Sequence, residues 1–137
     1  YSYDINGNVK TLLQHIKALV TEEAINGRKR IDYEYDLVSG KVNQVAYQRG
    51  KGDQFFYRYS YDADNRVTGS YSSRDRLIWT QEATYQYYLH GPLARTELGS
   101  YKVKGIDYAY TLQGWLKGIN GAALDPSREM GGDGLQG

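Results

Sequence analysis

The chain has 137 residues, with 17 Lys plus Arg against 16 Asp plus Glu, so its formal net charge is +1 and no net field draws it to nucleic acid or an anionic membrane. It has no Cys, which excludes disulfides and thiolate metal sites. Its apolar runs stop after a few residues, as in Ala18-Leu19-Val20, far short of the roughly 20 that cross a bilayer as a helix, so membrane insertion is not expected.

Tyrosine is the outlier, with 15 residues against 2 Phe and 2 Trp. Its ring suits a half-buried pleated surface and its hydroxyl reaches a partner or water. Sixteen Gly with 2 Pro point to many tight turns.

The chain opens on Tyr1-Ser2-Tyr3-Asp4-Ile5-Asn6-Gly7-Asn8-Val9, and the same order of residue types returns four times. The second copy is Tyr33-Glu34-Tyr35-Asp36 with Gly40-Lys41-Val42. The third is Tyr59-Ser60-Tyr61-Asp62-Ala63-Asp64-Asn65-Arg66-Val67, where Asn65 holds the place of the glycine. The fourth is Tyr85-Gln86-Tyr87-Tyr88 with Gly91, and the fifth is Tyr108-Ala109-Tyr110-Thr111 with Gly114-Trp115-Leu116. The second tyrosines fall at 3, 35, 61, 87 and 110, which are 32, 26, 26 and 23 residues apart. The template is Y-x-Y-D-x-x-G-x-V/L.

Each position has a physical reason. Residues i and i+2 of a strand share a face, so each pair lays two rings side by side while Ser2, Glu34, Ser60, Gln86 or Ala109 points the other way. Asp4, Asp36 and Asp62 can accept from backbone amides two residues on and start a turn, and Gly7, Gly40, Asn65, Gly91 or Gly114 can take a positive φ. Apolar residues then return, as Val9, Val42, Val67 and Leu116 do. One copy therefore predicts one β-hairpin, and five copies predict an all-β fold of consecutive antiparallel hairpins forming a curved sheet over residues 1–120. The copies drift: an extra residue before Gly40 lengthens the second loop, Tyr88 replaces the aspartate in the fourth with Pro92 behind it, and Thr111 is a weaker acceptor in the fifth.

Between copies the turn signals are Asn26-Gly27, Gly50-Lys51-Gly52-Asp53, Ser72-Ser73-Arg74-Asp75 and Leu98-Gly99-Ser100. Asp53 to Tyr59 and Arg76-Leu77-Ile78-Trp79-Thr80 have strand composition. Leu12, Leu13, Ile16, Leu19 and Val20 also fit helical spacing, and a short helix there competes with a strand starting at Val9 or an irregular connection. Residues 121–137 are rich in Gly and predict an irregular tail.

The repeated template resembles the YD repeats of Rhs proteins. Tyr85-Gln86-Tyr87-Tyr88-Leu89-His90-Gly91-Pro92-Leu93-Ala94-Arg95, followed by Tyr108 to Gly118, looks like the later part of large bacterial Rhs-repeat proteins. The resemblance covers residues 1 to about 120. It implies a segment of a β-strand spiral of the kind that closes into a hollow shell in Rhs and toxin-complex proteins and in teneurins. In bacterial members the shell commonly encloses a C-terminal toxin, which implies export to the cell surface or the outside. Five copies are too few to close a shell, and the self-cleaving segment of such proteins is not evident here. The chain is therefore expected to be a piece of a longer protein whose partners are the remainder of the parent chain and its C-terminal cargo.

No constellation of side chains points to catalysis, a cofactor or a metal. His15 and His90 stand alone and suit a surface or a turn. The aspartates come one per repeat, so capping turns explains them better than Ca²⁺, and Asp62-Ala63-Asp64-Asn65 lacks the later Glu of a calcium loop. Asp125-Pro126 suits a turn, and Gly131-Gly132-Asp133-Gly134 lacks the strand, helix and Lys of a phosphate loop. The tyrosine rows fit cross-strand packing from copy to copy, with carbohydrate stacking as the alternative. The expectation is a non-enzymatic structural segment that self-associates through its open strand edges, with a carbohydrate- or surface-binding adhesion module as the competing function.

Overall fold

Paired tyrosines with a turn behind them leave the chain one compact course, which is to reverse and run back alongside itself. The computed structural model describes residues 1–15 and 27–120. These form β1 (Ser2–Tyr3), β2 (Val9–His15), β3 (Arg28–Tyr35), β4 (Val42–Tyr47), β5 (Phe55–Tyr61), β6 (Val67–Ser73), β7 (Thr80–Tyr87), β8 (Leu93–Leu98), β9 (Lys104–Tyr110) and β10 (Leu116–Ile119). Each strand pairs antiparallel with its sequence neighbours, giving one open, curved ten-stranded sheet in chain order. The fold is all-β, and no helix occurs among the described residues.

Four of the five hairpin loops share one backbone pattern. The amide after the second tyrosine donates to the carbonyl four positions on, and the amide three positions on donates back. Thus Asp62 N donates to Arg66 O at 3.0 Å and Asn65 N to Asp62 O at 3.0 Å. The same two bonds recur at Asp4, Tyr88 and Thr111. This is the three-residue hairpin loop, in which a type I turn hands over to a left-handed residue. That residue is Gly7 (φ 86°), Asn65 (62°), Gly91 (112°) or Gly114 (83°). In the second copy Asp36 N reaches Lys41 O at 2.8 Å, one residue further along.

Behind every loop the register slips by one at the same place. Tyr3 faces Val9 but Ser2 faces Thr11, which skips Lys10; the residues skipped in the later copies are Asn43, Thr68, Ala94 and Lys117. A bulge of this kind bends its strand and adds right-handed twist. These five bulges in phase bend the sheet, and a further slip between Ser70 and Tyr71, where β6 meets β7, adds to them.

On the face opposite the tyrosines, Ala46 and Phe56 are buried to 1% and 2% exposure. The Arg76 guanidinium lies 5.3 Å over the Phe56 ring, and Arg58 sits against Tyr71 at 5.2 Å and Trp79 at 4.5 Å. The loop before β7 is thereby folded over the sheet. The strand expected over Arg76–Thr80 is corrected accordingly, because only Thr80 belongs to β7. Asp75 Oδ1 accepts from Leu77 N at 2.8 Å and Ile78 N at 3.1 Å, Ser73 Oγ accepts from Arg76 N at 2.9 Å, and Arg76 takes φ 67°. These local acceptors bend a segment whose composition favours extension. Leu12 and Leu13, which also fitted a helix, lie in β2. The rest of that stretch, residues 16–26, and the tail at 121–137 with Asp125-Pro126 lie outside the described residues.

Gly91 offers a direct check of the loop geometry. At φ 112° an L-residue is strained, although a Cβ there meets nothing within 4 Å. Gly91→Val is expected to lower the unfolding free energy by about 1–3 kcal/mol, against a few tenths for Asn65→Gly, as read by urea denaturation.

Candidate functional site

The feature that repeats is the tyrosine face, so it is the candidate functional surface. Rings within a copy lie side by side: Tyr1 and Tyr3 have centroids 6.4 Å apart with planes at 22°, and Tyr33 and Tyr35 stand 6.4 Å apart at 29°. Tyr59 lies among Tyr57, Tyr85 and Tyr33, and burial first, then these neighbours, pushes its hydroxyl above the ordinary phenol range. Cross-strand partners complete the face, with Tyr33 opposite Val45, Tyr35 opposite Val42 and Tyr61 opposite Val67.

The junction between copies shows why the ring carries a hydroxyl. Backbone pairing between β2 and β3 ends at Thr11 and Asp32, between β4 and β5 at Gln44 and Arg58, and between β6 and β7 at Gly69 and Thr84. Beyond these pairs the hairpin ends diverge. Each time, the second tyrosine, three residues past the last pair, reaches back to the carbonyl two residues before it. Tyr35 OH donates to Val9 O at 2.9 Å, Tyr61 OH to Val42 O at 2.7 Å, and Tyr87 OH to Val67 O at 2.8 Å. The ladder ends on a side-chain bond instead of an orphaned carbonyl. Burial pushes all three hydroxyls above their usual range.

At the fifth copy the junction changes. Tyr88, in the aspartate position, donates to Tyr108 O at 2.8 Å and meets Tyr110 edge-on at 6.3 Å. Its ring also stacks on His90 at 5.3 Å, while His15 ends β2 in solvent.

The aspartates sit at the bends. Asp4 Oδ1 accepts from Asn6 N and Asn8 N, Asp36 Oδ1 from Val38 N and Ser39 N, and Asp62 Oδ1 from Asp64 N and Arg66 N. Their carboxyls are held below the ordinary range, chiefly by the Asn8 side-chain amide at Asp4, the Ser39 amide at Asp36 and the Arg66 amide at Asp62. Arg66 also donates through Nε to Asp62 Oδ2 at 2.7 Å, and its guanidinium covers the Tyr87 ring at 4.8 Å. One arginine thus ties a loop to the tyrosine of the next copy.

A further polar cluster is joined to itself across β7, β8 and β9. Arg95 Nη1 binds both oxygens of Asp107 at 2.9 and 2.7 Å and its Nε reaches Glu97 at 3.3 Å, while Lys102 and Thr84 complete Glu97 at 2.9 and 3.1 Å. The described residues contain no group of three or more His, Asp or Glu able to hold a metal ion. Arg66, the bulges and the carbonyl acceptors escape sequence reasoning. Tyrosine at the second position of all five copies was the available signal, but the first position is always tyrosine too.

Neither a scan against protein-family models nor a search of curated proteins finds a match to this chain.

The shifted hydroxyls set a pH dependence. A tyrosine whose folded-state value is raised contributes stability that is fully present below the ordinary value near 10.0 and is lost as pH rises through the folded value. Ionised, it can no longer donate to the carbonyl. The urea midpoint is expected to hold from pH 7 to 9 and fall above pH 10; a midpoint flat to pH 11 contradicts the assignment.

Proposed function

We propose that the chain is a non-enzymatic stretch of repeat wall of the YD-repeat kind found in Rhs proteins, in a parent that encloses or displays C-terminal cargo at the cell surface or outside the cell. The observation that carries this proposal is the junction made by Tyr35, Tyr61 and Tyr87, which has the same geometry three times running. A unit that docks on its neighbour by a fixed rule extends indefinitely, as a wall requires.

Electrostatics agree. Among the described residues, carboxyls such as Asp32, Asp53, Asp75 and Glu97 are shifted down, and Tyr35, Tyr59, Tyr61, Tyr87 and Lys29 are shifted up, all away from neutrality. A general acid or base working near neutral pH needs the opposite. The outer strands β1 and β10 each have one neighbour, which leaves an edge for the remainder of the parent chain or for another copy. Carbohydrate is the weaker assignment for the tyrosine face, because the hydroxyls of Tyr35, Tyr61 and Tyr87 are already committed to backbone carbonyls.

Electron microscopy of the full-length parent tests the proposal. A strand-lined wall around an enclosed volume, with this segment in the wall, is the expected result, and the isolated chain should leave a glycan array blank. A parent in which residues 1–120 form a solid, separate domain overturns it.

A further inference from the structure

The alternating topology sends the five hairpin loops to one rim of the sheet and the connections between hairpins to the other. Among the described residues, every large apolar side chain more than three-quarters exposed, Tyr1 apart, lies in one of these loops. The first residue of each hairpin loop is apolar in all five copies: Ile5, Leu37, Ala63, Leu89 and Leu112. The four large ones are 101%, 87%, 107% and 104% exposed. On the connecting rim, Leu77, Ile78, Tyr101 and Val103 are 84%, 76%, 92% and 79% exposed. A hairpin loop folds without an apolar residue at this position, so its recurrence in phase is not a demand of the turn. Exposed apolar rows of this kind mark association surfaces.

The rims differ in charge. Asp4, Asp36, Asp62 and Asp64 face Lys41 and Arg66 on the hairpin-loop rim, an acidic balance. Among the described residues of the connecting rim, Arg49, Lys51, Arg74 and Lys102 outnumber Asp53 and Asp75, while Arg76 turns inward over Phe56. Loops on either rim recur every two strands, about 9.5 Å. A partner that seats the whole row needs that pitch, and the chain itself has it.

We infer that a second copy of this chain docks rim to rim, the acidic hairpin-loop rim of one molecule packing its apolar row against the basic connecting rim of the next. Packing like rims together would oppose carboxylates to carboxylates. The contact is heterologous, so it propagates instead of closing as a two-fold dimer. It rests on the proposed repeat wall only in treating the sheet as a stackable unit, and it uses the rims, not the strand edges.

Sedimentation velocity over a concentration series tests it with two variants, Leu37→Gln with Val38→Gln on one rim and Leu77→Gln with Ile78→Gln on the other. All four side chains stand in solvent, so circular dichroism and melting should match the wild type. Each variant is expected to associate about tenfold more weakly or less. Mixed one to one, they should form dimers that do not grow, because each supplies the intact rim the other lacks. Leu116→Lys, on the β10 edge, should leave this association unchanged. Variants that assemble like the wild type, a mixture that behaves as the sum of its parts, or a wild type that stays monomeric overturns the inference. Loss with Leu116→Lys alone assigns assembly to the strand edge and overturns it too; none of these results touches the enclosed wall, which microscopy of the parent decides.

Discussion

The constraint on which the rest depends is a backbone carbonyl that the sheet cannot satisfy by itself. Within each hairpin the strands pair right up to the loop, but between hairpins pairing stops two residues short of the recurring apolar position, at Thr11, Gln44 and Gly69. A phenol is long enough to span the gap and carries one donor at its tip. Such a bond is worth only about 1 kcal/mol net. Its larger effect is on register, since a one-residue slip would turn each ring to the other face and leave the carbonyl unpaired.

Curvature follows from the same arrangement. The residue after the apolar position is squeezed out of register in every copy, whether it is Lys10, Asn43, Thr68, Ala94 or Lys117. The bulge twists the hairpin end away from its neighbour, which opens the gap that the tyrosine then bridges. Bend and bridge are thus two sides of one local event, repeated along the sheet.

The hairpins were legible in the sequence because their determinants are local: the two-residue period of the rings and the Asp and Gly around the loop. The fourth copy shows how little of this is essential. Without the aspartate, Tyr88 N and Gly91 N still close the loop by backbone bonds at 2.9 Å. The bulges were not legible, since five positions occupied by Lys, Asn, Thr, Ala and Lys share no side-chain chemistry. Nor were the junctions, whose acceptors are backbone atoms that leave no mark on residue type. Arg76–Thr80 misleads for the opposite reason: its bulky residues favour a strand, while Ser73 and Asp75 fix the bend through hydrogen bonds to the amides that follow.

A sheet built this way has its rings pinned by their hydroxyls at the three junctions. The most direct test is a stability series in which Tyr35, Tyr61 and Tyr87 are each changed to Phe, with Tyr33→Phe and Tyr85→Phe as controls whose hydroxyls make no hydrogen bond to the described residues. Removal of each bridging hydroxyl should lower the unfolding free energy by about 1 kcal/mol, and the three losses should add. Equal losses at the controls, or none at Tyr35, Tyr61 and Tyr87, would contradict the claim that these hydroxyls hold the copies in register.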